Sequence, residues 1–162
     1  MSHPSPRTSL ARAAVCVVLA APLALATAPS AGATTTTDLA KQVVTLVNAE
    51  RKKVKCAPLR TSPALTKAAK GHSADMAKYS YFSHTSRNGR SPWQRMRAQG
   101  YNYGSAENIA AGQTTARSVV AAWMKSTGHR KNILKCSNKA IGVGVARGGR
   151  YGIYWTQDFG TR

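Results

Sequence analysis

The 162 residues carry 24 Lys and Arg against five Asp and Glu, a formal net charge of +19. A field of that size draws polyanions at long range and weakens with salt, but no nucleic-acid motif accompanies the charge, so specific nucleic-acid binding is not expected. The length excludes a large multidomain enzyme, and no second apolar span follows the N-terminal one.

Residues 1–33 read as a removable secretory leader. Arg7 and Arg12 form a basic start, Ala13 to Ala28 is apolar and alanine-rich, and Ala31-Gly32-Ala33 offers an A-x-A cleavage site. The apolar run is too short and weak for a good membrane span. Residues 34–162 are then one exported domain that keeps 22 basic residues against five acidic ones. Cys16 falls in the leader. Cys56 and Cys136 are the two cysteines left, and in an exported chain they are expected to form one disulfide. A loop of ~80 residues closed this way contributes at most about 4.5 kcal/mol in the chain-entropy account.

Asp38 is expected to cap a helix running to about Lys53, with Leu39, Val43, Leu46, Val47 and Glu50 at helical spacing. Arg51-Lys52-Lys53 suits its C-terminal end. Ser62-Pro63 starts a second helix to about Tyr79, with Leu65, Ala69, His72 and Met76 on one face. Ser91-Pro92 repeats the signal for a short helix carrying Trp93 and Met96 and stopping at Gly100. Glu107 lies in a short strand or turn. Thr114 or Thr115 caps a fourth helix, with Val119, Val120, Trp123 and Met124 inward, ended by Gly128. The period then changes to two. Ile141, Val143 and Val145 alternate with Gly142, Gly144 and Ala146, and after Gly148-Gly149 the residues Tyr151 to Asp158 alternate again, as in a β-hairpin. The glycine face leaves room for something to approach the sheet closely. Helices followed by antiparallel strands read as α+β.

Chemistry concentrates in His84, Glu107 and His129, which lie 23 and 22 residues apart and meet only through the tertiary fold. Two imidazoles and a carboxylate suit Zn²⁺ or another divalent ion, with water completing the shell. The same trio suits acid/base work, and hydrogen-bonded structural histidines are the third reading. Ser83 and Ser126 lie near histidines, but neither sits in a nucleophile elbow, and H-E-x-x-H is absent. His72 belongs to the apolar stripe of its helix, and Asn108 is better suited to holding a loop than to chemistry. Asp158 reads as a structural carboxylate tethering the last strand.

Several short motifs taken in order resemble the CAP superfamily, the SCP-like extracellular domains of cysteine-rich secretory proteins, antigen 5 and plant pathogenesis-related-1 proteins. They are Leu46-Val47-Asn48-Ala49-Glu50-Arg51, Gly71-His72-Ser73-Ala74-Asp75, Phe82-Ser83-His84, Ala106-Glu107-Asn108-Ile109, Trp123-Met124-Lys125-Ser126, Gly128-His129-Arg130 and Tyr154-Trp155-Thr156-Gln157-Asp158-Phe159-Gly160. The likeness is to the bacterial secreted branch. It implies a three-layer α-β-α sandwich with a central antiparallel sheet and a cleft. In that cleft the family places two histidines, here His84 and His129, and two acids, the first of which is Glu107. The second acid's position is Ser126, which leaves one carboxylate to a metal or recruits His72 or water, so His72 and Ser126 are expected to line the cleft. The resemblance admits several activities. Expected first is a secreted protein that binds a ligand at or near the cell surface, with anionic cell-wall polymer or acidic lipid as partner. A small hydrophobic ligand is a further possibility. The rivals are an extracellular metal-assisted or Ser/His hydrolase acting on peptide or wall material, and a purely electrostatic polyanion or membrane binder.

Overall fold

The computed structural model describes Met1 and residues 34–162; the expected leader lies outside the described residues. The elements are α1 (Thr36–Lys53), β1 (Arg60–Thr61), α2 (Pro63–Tyr79), α3 (Pro92–Ala98), β2 (Gly104–Ala111), α4 (Ala116–Lys125), α5 (Thr127–Leu134), β3 (Ala140–Arg147) and β4 (Ile153–Gly160). The sheet order is β1-β3-β4-β2. β3, β4 and β2 are antiparallel neighbours, and two-residue β1 adds a parallel edge beside β3. Helices cover both faces, giving the expected α-β-α sandwich.

The local start signals act where the residues predict. Ser62 accepts from the Leu65 amide ahead of Pro63, and Ser91 and Gln94 form a reciprocal capping box ahead of Pro92. Two expectations are corrected. Thr35 caps α1, with Asp38 inside the first turn, because its hydroxyl reaches the Asp38 amide. Gly128 does not end α4; the helix stops at Lys125, and Gly128 lies within α5.

The two faces of the hairpin do different work. Ile141, Val143, Val145, Ile153, Trp155 and Phe159 point to one side, where they pack with Val43 and Val47 of α1 and Val119 and Trp123 of α4. On the other side Gly142 and Gly144 receive α2. A Cβ on Gly142 would lie 2.1 Å from the Leu65 carbonyl carbon, and one on Gly144 would lie 2.2 Å from that of Ala69. The helix backbone thus rests directly on the strand. Ser73 locks the contact by donating to the Gly144 carbonyl and the Thr156 hydroxyl at 3.1 and 2.8 Å.

A second anchor ties α1 to α5. Cys56 and Cys136 form the expected disulfide, with Cα atoms 5.0 Å apart. Next to it Arg51 is fully buried. Its guanidinium donates to the carbonyls of Ala57, Ile133, Lys135 and Asn138 at 2.7–3.0 Å. Arg51 therefore gathers chain segments rather than facing solvent as the end of a helix.

Candidate functional site

Where α3, β2 and α5 meet, they leave an open cavity of about 470 Å³. Its walls include His84, Ser91, Trp93, Ser105, Glu107 and Asn132. Each wall follows from the local chain. The Ser91 cap starts α3 and sets Trp93 in its first turn, 44% exposed at the rim. The β2–β4 register shifts between Gly104 and Ala106, a bulge that puts Ser105 at the opening, where it donates to Asn138 Oδ1 at 2.6 Å. Glu107, one residue past Ala106, turns to the α2 side of the sheet.

Glu107 is the pivot. Its side chain is 1% exposed, and both of its oxygens are taken. Oε1 accepts from His84 Nδ1 at 2.7 Å, and Oε2 from Arg95 Nη2 at 2.5 Å. Burial alone would raise its pKa; the His84 hydrogen bond and the Arg95 charge outweigh burial and hold the carboxyl below its usual range. The Glu107 contact engages Nδ1 of His84 and leaves Nε2 open on a half-exposed ring. Arg95 is itself buried. Its Nη1 donates to the carbonyls of His84 and Arg90 and to the Ser86 hydroxyl. The chain Arg95–Glu107–His84 thus fixes the one exposed member through two buried ones.

His129 stands apart from this chain. It is half-buried in α5. Burial first, and then His84, pulls its pKa down. It is not among the cavity's lining residues. Asn108 holds α5 in place, donating to the His129 carbonyl and to Gln157 Oε1 while accepting from Asn132 Nδ2 at 2.9 Å.

The expected metal trio does not fit a metal here. Glu107 has no free oxygen, Arg95 places a fixed positive charge on it, and among the described residues no three His, Cys, Asp or Glu side chains converge to hold an ion. His72 and Ser126 are corrected as cleft residues. His72 is buried under α2, faces a different cavity, and is held by the Ser83 carbonyl at 2.9 Å. Ser126 joins α4 to α5 as a cap without a side-chain hydrogen bond, outside the cavity's lining. No serine hydroxyl bonds His84 or His129 among the described residues; Ser83 Oγ accepts from the Thr85 amide instead.

Arg95, Asn132 and the wall role of Trp93 were not read from the sequence. Arg95 carried a signal: with Pro92 and Met96 it falls at i, i+3 and i+4 on the buried side of α3. Asp158 is more than a tether. It pairs with Glu107 in the β2–β4 register, is fully buried, and neither of its oxygens has a donor among the described residues. Burial, and then the neighbouring Glu107 carboxylate, push its pKa well above the carboxylate range. A protonated Asp158 beside an ionised Glu107 is the arrangement this pair supports.

Two pH effects of opposite sign follow. His72 is lowered by burial and by Arg95, so the unfolded chain takes up the proton first as pH falls below about 6.5. The His72→Gln variant is therefore expected to gain on the wild type below that pH, by up to about 1.4 kcal/mol per pH unit. Asp158→Asn is expected to gain on the wild type as pH rises above about 4, where the unfolded Asp158 ionises and the native one does not. Urea midpoints between pH 4 and 8 check both slopes; parallel curves for wild type and variants would contradict them.

The family comparison agrees with this fold. The model of the CAP family, the cysteine-rich secretory protein family, matches residues 44–159. The chain belongs to the CAP family. Over 120 residues this CAP domain is 47% identical to the uncharacterized protein YkwD of Bacillus subtilis (strain 168), which covers 74% of the chain and 46% of YkwD. Among solved structures it is similar to an extracellular protein of Bacillus anthracis that contains an SCP domain (TM-score 0.71, 29% identity, 78% of this chain and 41% of that one). An outer surface protein of Borrelia burgdorferi shares the fold (TM-score 0.71, 23% identity, 79% and 96%). The chain spans less than half the length of the curated relatives it matches. No helix among the described residues is long and apolar enough to cross a membrane.

Proposed function

We propose that this CAP domain is exported and recognises its ligand non-covalently, in the cavity between α3, β2 and α5. The observation that carries the reading is the presentation of His84. Its ring is half exposed beside the open Trp93 ring, yet buried Glu107 and Arg95 fix its orientation. A preset imidazole, an aromatic wall and the Asn132 amide are a recognition surface: the ring stacks, and the polar groups fix register. The basic exterior adds attraction for anionic wall polymer. Glu107 and Asp158 are buried and Glu50 is paired with Lys53, so the positive surface meets little opposition.

Export is supported by the basic and apolar composition of residues 1–33, by the disulfide, and by similarity to proteins described as extracellular and outer-surface. The hydrolase reading has no comparable support. It needs a nucleophile or a metal-bound water; among the described residues no serine hydroxyl bonds His84 or His129, and both Glu107 oxygens are engaged.

Calorimetry with a soluble poly(glycerol phosphate) chain, a defined wall-type polymer, tests the proposal. Trp93→Ala is expected to weaken binding by about tenfold, as loss of the apolar contact between the indole and the glycerol carbons does. A binding constant unchanged in Trp93→Ala and His84→Ala would sink the cavity as the recognition site.

A further inference from the structure

On the other side of Arg95, α2 and α3 enclose a second cavity of about 230 Å³. Three cationic side chains face it: Lys67, Arg90 and Arg95. Lys67 and Arg90 are exposed residues that make no ion pair within the described residues, and the buried Arg95 Nε–H has no acceptor there. The Gln99 amide at the wall is likewise unpaired. The acceptors that might answer them are engaged. Asp75, the one carboxylate lining the cavity, accepts from the Tyr81 hydroxyl, and His72 is held by the Ser83 carbonyl and the Ser86 hydroxyl. The cavity is therefore rich in donors and short of acceptors. Arg95 is balanced by Glu107 on its far side, and Lys67 and Arg90 outnumber Asp75 at the wall, so the cavity keeps a net positive charge that water does not cancel.

We propose that this cavity binds a phosphate group, as a phosphomonoester or phosphodiester. A tetrahedral oxyanion offers acceptors in several directions, which suits cations arriving from two helices and a loop, and Arg recognises it through charge-assisted hydrogen bonds. The volume equals about eight waters, room for the phosphate and a small attached group, and the mouth is open to a longer chain. The site shares no lining residue with the His84 cavity and is linked to it through Arg95, whose Nη2 holds Glu107.

Gly71 makes the proposal testable without unfolding the protein. It lines the cavity from within α2, and a Cβ there meets no atom within 4 Å. A larger side chain at this position fills the space and favours the helix. The experiment is calorimetry on wild type, Gly71→Leu and the Lys67→Gln/Arg90→Gln pair. Inorganic phosphate and glycerol 3-phosphate are titrated at fixed ionic strength, with acetate and chloride as controls. The expected result is saturable binding of both phosphates and of neither control, weakened at least about tenfold in the double variant and lost in Gly71→Leu. Repeating it with poly(glycerol phosphate) and with phosphatidylglycerol vesicles separates the sources, because the natural one loses affinity in Gly71→Leu. Insensitivity of both assigns the site to small phosphate esters. Absence of saturable phosphate binding, or binding that survives both variants, overturns the proposal.

Discussion

Gly144→Ala is expected to cost at least about 3 kcal/mol of stability. The added Cβ would sit 2.2 Å from both the carbonyl carbon and the oxygen of Ala69, and these are backbone atoms with no rotamer to escape into. Accommodation requires lifting α2 off the sheet, which breaks the Ser73 bonds to Gly144 and Thr156. Because α2 leads directly into the segment carrying His84, the cavity should loosen as well. Gly71→Ala on the same helix is the control: its Cβ meets open space, and it is expected to be neutral or to stabilise by up to about 1 kcal/mol. Urea unfolding of the pair checks the account. A Gly144→Ala cost within about 0.5 kcal/mol of the control would contradict the direct backbone contact.

Arg95→Ala is expected to be as damaging, at about 3–5 kcal/mol, for an electrostatic reason. It strands Glu107, whose side chain is 1% exposed, with His84 as its sole ion partner and Asp158 beside it. The lost guanidinium also leaves the His84 and Arg90 carbonyls without their donor. Adding Glu107→Gln should recover a large part of the loss, since the stranded charge is then gone. A double mutant no more stable than Arg95→Ala would show that Arg95 acts through packing rather than by neutralising Glu107.

Local chemistry was legible in the sequence. Ser62-Pro63 and Ser91-Pro92 start helices because the cap and the proline need only their own neighbours. The alternation of Gly142, Gly144 and Ala146 with branched residues announced a close approach, and the approaching body proved to be α2. What failed depends on distant partners. Arg51 reads as a favourable charge at a helix end, yet its acceptors include carbonyls more than 80 residues away. The candidate site divides in the same way. His84 and Glu107 were found as residue types in short motifs, and the structure joins them directly. Arg95 hid among the basic residues of a very basic chain, and its position on the buried stripe of α3 was the one available sign. Asp158 could not be read as a second carboxyl beside Glu107, since only the β2–β4 register makes them neighbours. His129 shares a motif of equal clarity, but of the α5 residues it is Asn132 that lines the cavity.

The central claim, that a preset His84 and Trp93 form a recognition cavity, is tested most directly by nuclear magnetic resonance of the labelled protein titrated with poly(glycerol phosphate) at physiological salt. Saturable shifts of the Trp93 indole, the His84 ring and the Asn132 amide are expected, and they persist as salt is raised moderately, because the contacts are short-ranged. Shifts confined to surface Lys and Arg, fading with salt and leaving Trp93, His84 and Asn132 unmoved, would contradict it and leave charge alone as the basis of binding.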